Sequence, residues 1–286
     1  MTTILKADVI VAERQNHLSN LCTELKANGV TPCLKVILVG ANPASIIYTR
    51  NKKKFCEKIG ASCEIIHLAE NTSEKEFLDN LRQHANDKKV HGLFVQLPLP
   101  LQLEKVQFSQ IIPCTKDVDG FHPLNLSALI ESNNNTNHLL PCTPSGILKL
   151  LAFYKISTSG KNIVIVGRSL IVGKPLALML TNQDATVTIA HSKTNDLKSL
   201  TKSADIVIAA IGKAHFLNKD FFRNDKKQIV IDVGINKIGD KIAGDVDFES
   251  VMPLVSAITP VPGGVGPLTI LCLMENLIKA AQLNKE

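Results

Sequence analysis

At residues 162–175 the chain reads NIVIVGRSLIVGKP, an apolar run followed directly by a turn between two glycines. The apolar run predicts a strand buried on both faces, and the pattern after the turn predicts a helix. A strand that passes through a glycine turn into a helix N-terminus can bind phosphate, because the first free N–H groups and the helix dipole face the anion. The spacing is G-x-S-x-x-x-G and not G-x-G-x-x-G, so a tight turn without a ligand stays open on this motif alone.

The next strand, predicted at residues 185–190, bears on the choice of cofactor. In NAD-binding sheets an acidic residue about 20 positions beyond the glycines accepts hydrogen bonds from the ribose hydroxyls. Here the strand ends in His191 and Ser192, and the first acidic residue after it is Asp196. Arg168 and Ser192 can instead hold a 2′-phosphate, which favours NADP over NAD. The alternative is a solvated Arg168 and a Ser192 that only caps the next helix.

Strands and helices alternate on both sides of this segment. The C-terminal half contains predicted strands at residues 162–166, 185–190, 205–211 and 228–233. The N-terminal half alternates predicted helices and strands, at residues 9–29, 34–39, 43–59, 61–68, 73–86 and 90–96. Such a series indicates parallel sheets covered by helices. We therefore predict an α/β chain with two domains, an N-terminal three-layer α/β domain and a Rossmann-like nucleotide-binding domain with a parallel sheet.

We place the domain boundary after residue 140. Residues 132–138 read SNNNTNH, a polar stretch without periodicity that predicts a surface loop near the junction. The first domain then covers residues 1–140, and the second covers residues 141–266. The last segment, residues 267–286, is apolar at helical spacing and is expected to pack back on the first domain.

Composition argues against several classes of function. The 286 residues are 45% apolar and 4% aromatic, with no Trp, which is typical of aliphatic cores in helix-covered parallel sheets. The net charge of +6 comes from scattered basic residues without a dense patch, so no nucleic-acid partner is expected. A small polyanionic ligand and a plainly solvated surface explain that charge equally well. No apolar run approaches the ~20 residues that span a bilayer, so no membrane association is expected.

The cysteines bear on location and metal binding. The seven cysteines form no C-x-x-C pair and no Cys/His cluster at the spacing of a zinc site, so no metal site is predicted. Their number is odd, and Asp8 interrupts the first apolar stretch, which argues against a secretion signal. Reduced thiols in a cytoplasmic protein are the simplest interpretation.

Four polar side chains are candidates for chemistry. Tyr48 and Lys52 are four residues apart on a predicted helix and therefore share a face. Taken alone, Lys52 is the first of three consecutive lysines, for which a solvated surface is the simpler interpretation. Gln96 follows a buried strand, where ligands bind in open α/β sheets, although satisfying loop backbone explains it equally well. Asp119 belongs to the turn-forming sequence DVDG, and turns alone explain many such carboxylates.

Taken together, these segments resemble the methylenetetrahydrofolate dehydrogenase/cyclohydrolase family. The matching stretches are residues 42–45 with Tyr48 and Lys52, then 95–100, 116–123, 141–144, 167–175, 231–236 and 259–267. They cover nearly the whole chain in order, which makes the resemblance highly specific. The length resembles the form with two activities and no fused formyltetrahydrofolate synthetase domain. Leu268 departs from the Met or Phe that the family often has there, and residues 49–51 are unusual, but neither touches a position assigned to chemistry.

The resemblance implies roles for particular residues. The implied catalytic set is Lys52, Tyr48, Gln96 and Asp119. In that set Lys52 is central, Gln96 hydrogen-bonds it, and Tyr48 shapes the folate site, while Asp119 accepts the adjacent N–H donors of the pterin ring. The folate site would be lined further by Val95, Leu97, Pro262, Gly263, Gly264, Val265 and Gly266. The implied NADP contacts are Gly167, Arg168, Ser169, Ser192 and Ile235, and a homodimer is typical of the family.

The implied function is NADP-dependent oxidation of 5,10-methylenetetrahydrofolate to the 5,10-methenyl form and its hydrolysis to 10-formyltetrahydrofolate, in one-carbon metabolism. Hydrolysis needs a proton acceptor for the incoming water. At an unperturbed pKa near 10.4, only about one lysine in two thousand is neutral at pH 7, so Lys52 can accept that proton only if its pKa is depressed. We expect desolvation beside a cationic folate to lower it to about 8. The alternative for Lys52 is an electrostatic and orienting role.

Two other functions stay open at this stage. Another two-domain dehydrogenase, acting on shikimate or an amino acid, would explain the α/β series and the cofactor loop but not the catalytic set. A non-enzymatic nucleotide-binding or regulatory protein would bind NADP without turnover. The sequence determines neither the relative rates of the two activities nor their direction.

Overall fold

The computed structural model describes residues 1–131, 137–239 and 241–284. Most of the loop predicted at residues 132–138 therefore lies outside the described residues. The chain forms two compact units, each assembled from separate stretches of sequence. The glycine-loop unit consists of residues 1–12 and 143–269, and the lysine unit consists of residues 13–142 and 270–286.

Strands and helices alternate along most of the described chain. The strands are β1 (Thr3–Ile4), β2 (Cys33–Val39), β3 (Ser62–Leu68), β4 (Gly92–Val95), β5 (Asn162–Val166), β6 (Thr186–Ala190), β7 (Ile206–Ala209), β8 (Ile229–Asp232), β9 (Asn236–Ile238), β10 (Lys241–Ala243) and β11 (Ala257–Ile258). The helices are α1 (Asp8–Ala27), α2 (Pro43–Lys58), α3 (Glu74–Asn86), α4 (Pro123–Ile130), α5 (Cys142–Phe153), α6 (Gly173–Thr181), α7 (Leu197–Ser203), α8 (Phe248–Val251) and α9 (Val265–Leu283). Among these described helices, none combines the length and the apolar character needed to cross a membrane.

The lysine unit is built on a three-stranded parallel sheet in the order β3-β2-β4. Residues 36–39 of the central strand are buried, as expected for a strand covered by helices. Phe77 and Leu81 of α3 pack with Ile37 and Leu93 of the sheet in one apolar core. The predicted helix-covered parallel sheet of the N-terminal half is confirmed.

The glycine-loop unit is built on a six-stranded parallel sheet in the order β1-β11-β8-β7-β5-β6. After β5 the chain adds β6 on one side and β7 on the other, so the strand order reverses at β5. In open α/β sheets ligands bind beyond the carboxyl ends of the strands at such a point. The turn that begins at Gly167 follows the carboxyl end of β5, which is where the sequence predicts a nucleotide.

The N-terminus departs from the predicted organisation. Thr3 and Ile4 pair with Ala257 and Ile258, so residues 1–12 belong to the glycine-loop unit and not with the rest of the first predicted domain. A strand of two residues is too short to show a period, and β1 is stabilised as a strand by its pairing with β11, which is distant in sequence. For the same reason the sequence does not predict the short hairpin of β9 and β10.

Helix α9 passes from one unit to the other along the chain. Its residues up to Thr269 belong to the glycine-loop unit, and those from Ile270 onward belong to the lysine unit. The second part is anchored by Asn276, whose side chain donates to the carbonyl groups of Val118 and Leu140. The end of the chain thereby reaches the loops that carry the candidate site.

Candidate active site

Helix α2 carries Lys52 on its buried face. The buried residues of this helix are Ser45, Thr49, Lys52 and Cys56, a spacing that marks one side of a helix. Lys52 is only 6% exposed, whereas Lys54 is exposed. The interpretation of Lys52 as a solvated surface lysine is therefore wrong.

The Lys52 ammonium group has two close partners at the end of β4. Its Nζ donates to Gln96 Oε1 at 2.9 Å and lies 3.6 Å from the centroid of the Phe94 ring. Gln96 Nε2 donates to the Leu97 carbonyl oxygen at 2.6 Å, and the Gln96 backbone N–H donates to the Ile37 carbonyl oxygen at 2.9 Å. Because an ammonium group only donates, the amide oxygen is the atom that accepts from the lysine, and the bond from the amide nitrogen to Leu97 orients it. The structure thus brings Lys52 and Gln96 together.

Burial and neighbouring charge act on Lys52 in opposite directions. Burial lowers the pKa of Lys52 to about 8, while the nearby Asp119 carboxylate favours the charged ammonium. The pKa of Asp119 is raised to about 7, mainly by burial; the charge of Lys52 opposes this rise, and the charge of Asp117 contributes to it. Both groups therefore titrate close to neutrality, and each stabilises the charge of the other.

Asp117 has a structural part in the DVDG turn. Its buried carboxylate accepts hydrogen bonds from the backbone N–H groups of Gly120 and His122, at 3.2 and 2.6 Å. It also accepts from the Asn125 side chain at 3.1 Å. The turn interpretation considered for these carboxylates therefore holds for Asp117, while Asp119 has a different environment.

Cys142 is a neighbour of Asp119 that the sequence does not single out. Its thiol donates to the carbonyl oxygen of Val118, with Sγ 3.2 Å from that oxygen, and its proximity to Asp119 favours the ionised form of that carboxyl. Burial raises the pKa of Cys142 well above its ordinary value, so the thiol stays neutral and acts as a donor. The resemblance includes Cys142 within a matching stretch, but no local pattern reveals its contact with Asp119.

The remaining predicted folate contacts in the lysine unit differ in exposure. Tyr48 lies one turn before Lys52 on α2, and burial raises the pKa of its phenol, which keeps it protonated at neutral pH. The Val95 side chain packs in the apolar core of this unit, so only its backbone can face a ligand. Leu97 is 41% exposed and can meet a ligand directly.

The predicted folate loop, residues 262–266, belongs to the glycine-loop unit. Pro262 and Gly263 are exposed, Gly264 and Val265 are buried, and Gly266 is partly buried. A Cβ on Gly264 would lie 2.6 Å from the Pro260 carbonyl oxygen, so close packing of the chain on itself explains that glycine. The contact of this loop with folate stays a prediction.

The glycine turn after β5 is as tight as its sequence predicts. Gly167 has φ +139°, and a Cβ there would collide with the Ala210 carbonyl oxygen. A Cβ on Gly173 would collide with the Gly167 carbonyl oxygen. Ser169 Oγ accepts hydrogen bonds from the N–H groups of Val172 and Gly173, at 3.1 and 3.4 Å, and so holds the start of α6. Both glycines are therefore required by the backbone itself.

The other predicted NADP contacts follow the carboxyl ends of neighbouring strands. Arg168 follows β5, Ser192 follows β6 and Ile235 follows β8, and all three are exposed. Helix α7 is capped by Asp196, whose carboxylate accepts from the Ser199 N–H at 3.1 Å. Ser192 is therefore not the cap of the next helix, and the alternative explanation for it is wrong.

Two buried carboxylates shape the same edge of this sheet and were missed by sequence reasoning. Asp245 accepts hydrogen bonds from the N–H groups of residues 211, 212 and 213, at 2.7, 3.0 and 2.8 Å. Asp232 accepts from the N–H groups of residues 234, 245 and 246, at 2.9, 3.0 and 2.9 Å. These bonds fix the loops that follow β7 and β8. No local pattern signals them, because a single Asp at the end of a strand or in a loop is common.

Family models match the chain in two parts. The model described as the tetrahydrofolate dehydrogenase/cyclohydrolase catalytic domain matches residues 5–119, and the NAD(P)-binding domain of the same family matches residues 141–285. The chain belongs to the tetrahydrofolate dehydrogenase/cyclohydrolase family. The resemblance noted in the sequence is confirmed.

Individual relatives agree over the full length. The Bifunctional protein FolD of Oceanobacillus iheyensis is 48% identical over 283 residues, which cover 99% of this chain and 98% of that protein. A crystal structure of the FolD enzyme of Campylobacter jejuni is 45% identical with a TM-score of 0.94 and 99% coverage of both chains. The Trypanosoma brucei enzyme, solved with NADP cofactor and inhibitor, is 30% identical with a TM-score of 0.92 and covers 99% of this chain and 98% of its own.

The residues at the nucleotide edge fit the cofactor that the family implies. Gly167 and Gly173 allow a tight turn in which any larger side chain would collide with the backbone. Arg168 and Ser192 are exposed and can donate hydrogen bonds to a phosphate. The sequence offers no acid in the position that favours NAD.

We predict that the Lys52 ammonium titrates near pH 8, as burial dictates. Replacement of Asp119 by Asn removes the anion that favours the charged ammonium, so the pKa of Lys52 should fall further. Both midpoints can be measured by NMR titration of the lysine Cε and Nζ signals, and a Lys52→Arg variant identifies the signal by its loss. An unchanged midpoint in Asp119→Asn would show that the two groups are not electrostatically coupled.

Proposed function

We propose that this chain is a bifunctional enzyme that oxidises 5,10-methylenetetrahydrofolate with NADP and hydrolyses the methenyl product to 10-formyltetrahydrofolate. The observation that carries the proposal is the buried Lys52 amine, hydrogen-bonded to Gln96 and coupled to Asp119. The Campylobacter jejuni relative, which is described as a methylenetetrahydrofolate dehydrogenase/cyclohydrolase and covers 99% of this chain, supports it. The lysine unit would be the folate-binding catalytic domain, and the glycine-loop unit would be the NADP-binding domain.

Lys52 is suited to accept the proton of the attacking water. With a pKa of about 8, about one lysine in ten is neutral at pH 7, against about one in two thousand for an unperturbed lysine. Gln96 holds the amine by its oxygen, so the nitrogen is oriented before substrate binds. When water adds to the methenyl carbon, one of its protons passes to the neutral Lys52 amine. The bond from that carbon to N5 then breaks: the hydroxyl oxygen gives up its remaining proton and becomes the formyl carbonyl, and N5 takes the bonding pair and a proton. A cationic substrate would increase the neutral fraction further.

Asp119 and Tyr48 would hold the folate. An ionised Asp119 accepts the adjacent N–H donors of a pterin through its two oxygens. The protonated Tyr48 phenol can donate to the substrate from the same face of α2 as Lys52. Leu97 and the Val95 backbone would complete the part of the folate site that lies in the lysine unit.

NADP would bind at the carboxyl edge of the larger sheet. When bound it accepts the hydride that the bridging methylene of the folate gives up. Gly167 and Ser169 would approach the phosphates, and Ile235 would contact the cofactor from the loop after β8. Arg168 and Ser192 would hold the 2′-phosphate, Arg168 through its guanidinium fork. These residues bind and orient the cofactor, which is the protein's main contribution to a hydride transfer.

A cytoplasmic location and a homodimer belong to the same proposal. The homodimer is typical of the family that the chain resembles, and that resemblance supports it. Light scattering should give about twice the chain mass of 31.1 kDa. A mass equal to one chain would remove the dimer from the proposal.

A single absorbance assay tests the function. Methylenetetrahydrofolate is mixed with the protein and either NADP or NAD, and the methenyl product is followed as it appears and decays. Both phases are expected with NADP. Binding of NADP without turnover would instead support a regulatory nucleotide-binding protein.

We predict that Lys52→Met abolishes most cyclohydrolase activity, by about a hundredfold or more, because the proton acceptor is lost. The matched control is Lys53→Met, since Lys53 is the next residue on α2 and pairs with Glu57 on a partly exposed face. That variant should keep both activities. Full hydrolysis of methenyltetrahydrofolate by Lys52→Met would exclude Lys52 as the acceptor.

We predict that Arg168→Ala lowers the preference for NADP over NAD by about ten- to a hundredfold, because charge-assisted hydrogen bonds to the 2′-phosphate are lost. The preference is measured as the ratio of kcat/KM values for the two cofactors. Lys161→Ala is the control, because this exposed lysine lies just before β5 at the opposite end of the strand. An unchanged ratio in Arg168→Ala would remove that residue from the cofactor site.

A further inference from the structure

Asn276 on α9 ties a helix to two distant loops. The residue is buried, and its Nδ2 donates to the carbonyl oxygens of Val118 and Leu140, each at 2.8 Å. A side-chain amide has two N–H donors, so both are used. The sulfur of Cys142 lies 3.7 Å from the same nitrogen. One amide group therefore joins segments that are 158 and 136 residues away from it in sequence.

The two loops held by Asn276 meet at Asp119. Val118 directly precedes Asp119. Leu140 stands two residues before Cys142, whose thiol donates to the Val118 carbonyl oxygen at 3.2 Å and lies near the Asp119 carboxyl. Gly120 has φ +79°, and a Cβ there would collide with the backbone of residues 140 and 141. The loops thus pack backbone against backbone, with Asp119 at their junction.

We infer that Asn276 is a positioning residue for the folate reaction, which holds the Asp119 carboxylate in place relative to Lys52 through the backbone of Val118 and Leu140. The inference rests on the proposed function. Both carbonyl acceptors are in the lysine unit, so their bonds to Asn276 act within one compact body. A mere anchor for α9 would predict a loss of stability without a selective kinetic effect.

The charged neighbours of the site determine the expected effect on pH dependence. Lys52 is influenced by Asp119, Cys142 and Cys63, and Asp119 is influenced by Lys52, Asp117 and Cys142. If Asp119 moves away from Lys52, the ammonium loses the anion that favours its charged form, and the pKa of Lys52 falls. More of the amine is then neutral at a given pH. The rising limb of the cyclohydrolase pH profile should therefore move to lower pH.

The test replaces Asn276 by Leu, which keeps a similar shape and removes both donors. We expect the KM for the folate substrate to rise about tenfold, because two hydrogen bonds that fix the Asp119 segment are lost. The KM for NADP should stay within about twofold, since the cofactor residues lie on the other unit. The pH profile should shift downward as described. An Asn276→Ser variant, which keeps one donor on a shorter side chain, should show the same changes to a smaller extent and serves if the Leu variant does not fold.

Lys279→Met is the matched control on the same helix. Lys279 Nζ donates to the His138 carbonyl oxygen at 2.5 Å, so this variant also removes a long-range bond from α9 to a backbone carbonyl. It should lower the melting temperature while leaving both KM values and the pH profile unchanged.

The outcomes separate this inference from the proposed function. An inactive wild-type protein overturns the proposed function, and the inference with it. An active wild type with Asn276 variants that lose only stability, or that lose folate and NADP kinetics equally, overturns the inference alone. A pH profile of Asn276→Leu identical to that of Lys279→Met also overturns it.

Discussion

The chemistry proposed for the lysine unit depends on the burial of one ammonium group, that of Lys52. Moving the Lys52 amine out of water lowers its pKa from 10.5 to about 8, which corresponds to about 3 kcal/mol of weakened affinity for its proton. The fold offsets part of the desolvation with three interactions: the amide oxygen of Gln96, the face of the Phe94 ring and the charge of Asp119. Together they do not offset the whole cost of desolvating the ammonium. The remaining cost keeps the pKa of Lys52 low enough for the amine to accept a proton near neutral pH.

The parallel sheet explains why these partners converge. Lys52 lies on the helix after β2, and Gln96 directly follows β4, the neighbouring strand. Asp117 pairs with Leu93 of β4 as an isolated parallel bridge, which places Asp119 just beyond the same strand. Side chains beyond the carboxyl ends of adjacent parallel strands are brought to one edge of the sheet. The order of the strands therefore brings the site residues to one edge of the sheet, and the individual contacts then fix their side chains.

The sequence predicts the elements that carry a long periodic pattern but not those that distant partners stabilise. The strands and helices around residues 34–86 were predicted within a few residues, because each has enough positions to show its period. The two-residue β1 has no such signal. Lys52 could not be distinguished from the lysines beside it by composition, although the buried spacing of α2 does distinguish it once the whole helix is considered. Asn276 carries no signal at all, since its acceptors are backbone carbonyls more than a hundred residues away.

Asp119 couples folate binding to the state of the lysine. In the structure the carboxylate favours the charged form of Lys52, which opposes proton acceptance. On the proposed function, the pterin N–H donors would engage the same two oxygens and draw their negative charge toward the substrate. The Asp119 charge would then stabilise the Lys52 ammonium less, while the cationic methenyl carbon lies near the same amine. Both changes lower the pKa of Lys52. Folate binding by Asp119 would therefore also increase the fraction of Lys52 that is neutral and able to accept a proton. A carboxylate placed for binding alone would not need to lie near the lysine, and a lysine buried without that carboxylate would lose the stabilisation of its resting, charged form.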